Sequence, residues 1–165
     1  MLGEIPLTAV GPALGAGDKA PQFTLSGKGF LPEPVTLWDF SGKALILSCV
    51  PSLDTSVCDR ETRRWDEEVK ALGGKLAMLT VSMDLPFTQA RWCGANGVEH
   101  KTASAHNHND FGEAYGVLIQ ENGLLGRAVF VIDKEGQIIH SEYCPKIGDE
   151  PHYEEILAKA VAAAG

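Results

Sequence analysis

Ala44-Leu45-Ile46-Leu47-Ser48-Cys49-Val50-Pro51-Ser52-Leu53-Asp54-Thr55-Ser56-Val57-Cys58 passes from an uncharged, mostly apolar run through a short loop into a charged, amphipathic stretch. The run over 44–50, bounded by Gly42-Lys43 and Pro51, predicts a central strand buried on both faces. After the loop the period changes: Cys58, Thr62, Trp65, Val69 and Leu72 recur at helical spacing, with Asp59, Arg60, Arg63, Arg64, Asp66, Glu67 and Lys70 between them. Gly73-Gly74 stops that helix. Asp54 or Thr55 is the expected cap, so Cys58 stands in the first turn and heads the inward stripe. Unpaired N–H groups and positive partial charge at a helix start favour a thiolate, the nucleophilic form of cysteine.

Outward from this segment, Lys75 to Ser82 reads as the next strand, and Asp84-Leu85-Pro86-Phe87 opens a second helix with an acidic cap and Pro in its first turn. That helix ends soon after Cys93, at Gly94-Ala95-Asn96-Gly97. Arg127 to Asp133 and Gln137 to Tyr143 flank Lys134-Glu135-Gly136 as an antiparallel hairpin, and Pro151 to Ala164 closes as a helix. The Gly- and Pro-rich first forty residues predict an N-terminal hairpin and meander built on Gln22-Phe23-Thr24-Leu25 and Val35-Thr36-Leu37. The order of elements describes one α/β domain over residues 1–165, with a central mixed sheet and helices on both faces.

A net charge of −8 with dispersed basic residues disfavours a grip on nucleic acid. No stretch is long enough to span a bilayer, and the start Met1-Leu2-Gly3-Glu4-Ile5-Pro6 lacks the basic and apolar regions of a signal peptide. A cytoplasmic protein without a membrane partner is expected. Cys49, Cys58, Cys93 and Cys144 have neither the density of a disulfide scaffold nor paired zinc-site spacing. In a reducing compartment such cysteines are core fillers or redox centres.

A fast thiol enzyme also needs donors aimed at the oxygen on which charge develops. The Thr55 hydroxyl is one candidate. Arg127 is the other: it opens a predicted core strand, stays charged, and its fork can touch both sulfur and oxygen.

Pro51-x-x-x-Thr55-x-x-Cys58 resembles the active-site signature of peroxiredoxins. Ser82-Met83-Asp84-Leu85-Pro86-Phe87-Thr88-Gln89-Ala90-Arg91-Trp92-Cys93-Gly94-Ala95 is similar to the second signature of the thiol peroxidase subfamily, the atypical two-cysteine peroxiredoxins. The resemblance continues through Phe111 to Val117, Arg127 to Asp133 and Glu150 to Glu154. It implies a thioredoxin-like fold, with Cys58 as peroxidatic and Cys93 as resolving cysteine of the same chain. It further implies that Pro51 screens the thiolate, Thr55 orients peroxide oxygen, and Arg127 stabilises thiolate and transition state. The implied substrates are hydrogen peroxide and alkyl or lipid hydroperoxides, the reductant is thioredoxin or a similar dithiol protein, and the assembly is a homodimer. No metal, haem, flavin or other cofactor is implied.

Other readings stay open on the residues themselves. Cys58 also suits a peroxide-sensing switch, or a one-cysteine peroxidase resolved by an external thiol. Cys144, beside Pro145, is the rival partner for Cys58, and Cys49 reads as a core filler. His100, His106 and His108 with Asp110 are the one group with metal-ligand chemistry, and read more simply as a solvated loop. Many relatives carry an Asp and an Arg where this sequence has Ala105 and Asn107. Phe87 is expected near the pocket mouth and the dimer surface, where an apolar rim favours alkyl hydroperoxides.

Overall fold

The computed structural model describes all residues from Met1 to Gly165. Its strands are β1 (Ala9–Val10), β2 (Thr24–Ser26), β3 (Pro34–Thr36), β4 (Leu45–Cys49), β5 (Ala77–Ser82), β6 (Lys101–Ser104), β7 (Leu118–Ile119), β8 (Ala128–Ile132) and β9 (Ile138–Tyr143). The helices are α1 (Ser56–Ala71), α2 (Pro86–Asn96), α3 (Asn109–Ala114) and α4 (Tyr153–Ala164), with a 3-10 turn over Leu37–Phe40.

The uncharged run forms the centre of the sheet as its pattern requires. All five residues of β4 are buried, and the strand lies in the order β3-β2-β6-β5-β4-β8-β9. It pairs parallel with β5 and antiparallel with β8, so the sheet is mixed. Strand alternation then divides its side chains. Leu45, Leu47 and Cys49 join Phe130, Phe111 and Tyr115 on the face covered by α3. Ile46 joins Val129, Val131, Trp65 of α1, and Tyr153 and Ile156 of α4 on the other face. Cys49, fully buried, thus fills the α3-side core and points away from the α1 side.

Helices α1 and α2 meet over a third, small cluster of Val50, Leu53, Cys58, Trp92 and Val98, with Cys93 packed beside it. Helix α1 is stopped by two residues in the left-handed region, Gly73 (φ 60°) and Gly74 (φ 83°), where a side chain would be strained.

The structure revises several local expectations. Strands β2 and β3 form the expected hairpin, but β1 pairs antiparallel with the distant β7 in a separate two-stranded sheet. Asp84 does not cap α2. Leu85 holds the N-cap position without a side-chain bond, and the Asp84 carboxylate instead accepts the N–H of Leu53 and the hydroxyls of Ser52 and Ser82. Three donors, two from the loop before α1 and one from the end of β5, outcompete the N–H groups of its own helix.

Candidate active site

Helix α1 begins directly after the β4 loop, and Cys58 is its third residue, fully buried. Thr55 is the N-cap by backbone, its carbonyl accepting the N–H of Asp59 at 2.9 Å. Its hydroxyl does not cap: it donates to the carbonyl of Ser52 at 2.8 Å. No side chain therefore caps α1, and its first-turn N–H groups remain free to meet a negative charge. Thr55 is exposed, while Pro51 is buried at the start of the loop.

Arg127 is displaced from its expected place by one residue, since β8 begins at Ala128, and it does not reach for water. Only 3% of it is exposed. Its Nη2 donates to Cys58 Sγ at 3.3 Å and to the Ile147 carbonyl at 3.0 Å, while Nη1 donates to Glu61 Oε2 at 2.5 Å. Nε reaches the Ile147 carbonyl at 3.3 Å. A planar fork is needed to span carboxylate, sulfur and carbonyl at once. Burial works against the charge on Arg127, but Glu61 and Cys58 beside it outweigh burial and hold the guanidinium above its ordinary range.

Glu61 is the residue that sequence reading missed. It lies one helical turn from Cys58, fully buried, and also accepts from Ser48 Oγ and Trp65 Nε1, each at 3.3 Å. Burial pushes its carboxyl up, against the pull of Arg127 and these donors. A signal was present: a carboxylate beside Cys58, Thr62 and Trp65 on the inward stripe demands a buried cation, and Arg127 was already suspected of being one. Ser48 reaches Glu61 because alternation along β4 turns it to the α1 side.

Cys93 lies near the end of α2, half-buried, with Sγ 3.9 Å from Thr102 Oγ1. Burial raises its thiol above the ordinary range, with the Thr102 hydroxyl and Lys28 acting the other way. Cys144 is also half-buried, and burial, with Glu61 and Glu142 adding to it, pushes its thiol up to about 12. All four cysteines are free thiols.

Two recesses border the site. An open cleft of ≈ 620 Å³ lies over the start of α1, lined by Leu53, Thr55, Ser56, Asp59, Arg91 and Trp92 among others. A smaller, largely apolar recess of ≈ 170 Å³ reaches Arg127 past Leu7, Val117, Ile119, Tyr143 and Ile147.

The histidines do not assemble. The His100 side chain, nearly covered, bonds Asp66 Oδ1 through Nδ1 at 3.0 Å and Thr80 Oγ1 through Nε2 at 2.8 Å, whereas His108 bonds Ser26 Oγ at 3.0 Å. Trp65 and Tyr115 are core aromatics, while Phe87 is 55% exposed, its ring 6.3 Å from that of Phe30.

A buried thiol at a helix start, held by an arginine inside a mixed α/β sheet, is the arrangement of a thiol oxidoreductase. The chain belongs to the Redoxin family, whose profile matches residues 15–157. It is 46% identical to a thiol peroxidase of Bacillus subtilis over 95% of this chain and 93% of that one. A thiol peroxidase of Listeria innocua is 45% identical over 96% and 94% of the two chains. The crystal structure of a peroxiredoxin-like protein from Aquifex aeolicus superposes with a TM-score of 0.89 at 37% identity, covering 98% of this chain and 95% of that one. The chain is accordingly a thiol-dependent peroxidase with the thioredoxin-like fold of peroxiredoxins.

Proposed function

We propose that Cys58 is the peroxidatic cysteine, Cys93 its resolving partner, and that hydrogen peroxide and organic hydroperoxides are the substrates. The observation that carries this reading is the buried Arg127 fork, which touches Cys58 Sγ at 3.3 Å while Glu61 holds its other edge. A cation fixed against sulfur stabilises a thiolate and is already in place for a negatively charged transition state. Peroxide enters by the cleft over Thr55. Having donated its proton to Ser52, the Thr55 hydroxyl keeps its lone pairs free to accept from peroxide O–H, and the uncapped N–H groups of α1 face the developing oxyanion. Pro51 shields the sulfur from bulk water.

In the reaction the Cys58 thiolate attacks one peroxide oxygen. The S–O bond forms, the O–O bond breaks, and the other oxygen takes a proton and leaves as water or alcohol. Cys93 then attacks the sulfenic sulfur, and the S–OH oxygen leaves as water as the Cys58–Cys93 disulfide forms. A dithiol protein such as thioredoxin reopens the bond by exchange, which suits a reducing compartment such as the cytoplasm. The apolar recess beside Arg127 and the exposed Phe87 favour organic hydroperoxides. Exposed Phe30, Leu31, Leu85 and Phe87 support a homodimer closed over this edge.

Peroxide consumption coupled to thioredoxin, thioredoxin reductase and NADPH tests the reading. Wild type is expected to turn over, and Cys93→Ser to stop after about one equivalent with Cys58 oxidised. Turnover retained in Cys93→Ser overturns the assignment of Cys93. A wild type that stalls after one equivalent replaces the enzyme cycle with a sensor.

A further inference from the structure

Helix α2 is held at its two ends and nearly free between them. At its start, Asp84 ties the β4 loop to β5, and the amide of buried Gln89 donates to Ser82 Oγ and to the Ala103 carbonyl, both at 2.9 Å. Past its end, Asp66 Oδ1 accepts the N–H groups of Glu99 and His100 at 3.0 and 2.9 Å, and Lys70 Nζ bonds the Gly97 carbonyl at 3.2 Å. Over residues 90–96 one strong side-chain hydrogen bond reaches another element: Trp92 Nε1 donates to Asp59 Oδ2 at 3.0 Å. The remaining polar contact there is the weak Cys93–Thr102 pair at 3.9 Å. Arg91 has no ion-pair partner, and Asn96 bonds only back to its own helix.

The two residues of this bond are the chain neighbours of the two cysteines: Asp59 follows Cys58, and Trp92 precedes Cys93. The indole is 6% exposed and sits in the same five-residue cluster as Cys58, apart from the two larger cores. Only Gln89 and Trp92 of α2 are buried, so withdrawal of one side chain frees the helix segment that carries Cys93.

We propose that the Trp92–Asp59 bond is a latch that sets the rate at which Cys93 reaches oxidised Cys58; the inference rests on the assignment of Cys93 as the resolving residue. Latched, α2 keeps Cys93 in its helix and leaves Cys58 properly folded for peroxide. Release lets residues 90–96 unwind between fixed ends, Cys93 attacks the sulfenic sulfur, and the hydroxyl leaves as water. Trp92 and Asp59 are positioning residues: the bond between them acts on resolution, the step that follows oxidation of Cys58. Asp59 also holds Arg63 through its other oxygen at 2.6 Å, which keeps the acceptor aimed.

The test is a single-turnover experiment on the reduced full-length protein with one equivalent of hydrogen peroxide, acid-quenched and read by mass spectrometry for Cys58 sulfenic acid and the Cys58–Cys93 disulfide. Trp92→Phe keeps most of the ring packing and removes the N–H, and Asp59→Ala removes the acceptor from a partly exposed position. Both are expected to form the disulfide about three- to tenfold faster, the range of an ordinary net hydrogen bond, since Asp59 is partly exposed to water. The double variant should be no faster than either single; because both residues line the cleft over the start of α1, the appearance of sulfenic acid is timed separately, and the resolution rate is taken from its conversion to the disulfide. A merely structural role predicts unchanged or slower resolution. Disulfide formation at the wild-type rate or below in either variant overturns the latch alone; a wild type that never forms Cys58–Cys93 overturns the underlying assignment and the latch with it.

Discussion

Replacing Arg127 by Met separates what the Arg127–Glu61 pair does for stability from what it does for chemistry. The guanidinium is almost wholly buried and Glu61 entirely so, with 2.5 Å between Nη1 and Oε2. Removing the cation leaves a buried carboxylate with only Ser48 and Trp65 as donors, each at 3.3 Å. Breaking one side of such a pair costs about 3–5 kcal/mol, while replacing both sides by apolar groups is close to neutral. Arg127→Met should therefore unfold at a much lower urea concentration, and adding Glu61→Met should recover most of the loss. Activity should not follow. The bond from Nη2 to Cys58 Sγ is charge-assisted, worth about 1.5–3 kcal/mol, so Cys58 oxidation should slow by roughly ten- to a hundredfold in both variants. Urea unfolding measures the first quantity and stopped-flow oxidation of the reduced protein by hydrogen peroxide the second. If the double variant is no more stable than the single, or if either oxidises within about threefold of wild type, the role given to the pair is wrong.

Three further outcomes are expected. Burial alone would raise the Asp66 carboxyl, but bonds from Lys70 and from the His100 and Glu99 backbone hold it near 2 instead of 3.8. Its contribution of roughly 2 kcal/mol is complete above about pH 4 and lost as pH falls through about 2, so the stability gap between wild type and Asp66→Asn should close over that window in urea titrations. Asp84→Ala removes the acceptor of Leu53 N–H and of the Ser52 and Ser82 hydroxyls, and should cost about 2–3 kcal/mol and slow Cys58 oxidation by loosening the Pro51–Leu53 loop; an unchanged oxidation rate would show that the loop holds itself. Cys144→Ser should leave thioredoxin-coupled turnover at the wild-type rate, and a stall after one equivalent would transfer the resolving role to Cys144.

The short-range features of this protein are written in its sequence. An uncharged run too apolar for the surface can only be a central strand, and a change of period four residues after Pro51 can only place Cys58 on the inner side of a helix start. Arg127 at the edge of an apolar strand announces a buried charge. These readings depend on periods of two and 3.6, which a few neighbouring residues establish without reference to the rest of the chain.

Tertiary structure alone decided the partners. Arg127 and Cys58 stand 69 residues apart and Trp92 and Asp59 stand 33 apart, and no local pattern names which donor meets which acceptor over such separations. Two side chains departed from their expected caps for different reasons: Thr55 turned its hydroxyl to the Ser52 carbonyl three residues back, a local bond that competes with the cap, whereas Asp84 left its own helix because packing brought the donors of the loop before α1 within reach. β1 likewise found β7 across more than a hundred residues, a pairing that no local pattern names. Chain chemistry put Cys58 at a helix start, where a thiolate is favoured; the folded contacts decided that Arg127 bonds its sulfur, that Glu61 holds Arg127, and that Trp92, the neighbour of Cys93, bonds Asp59, the neighbour of Cys58.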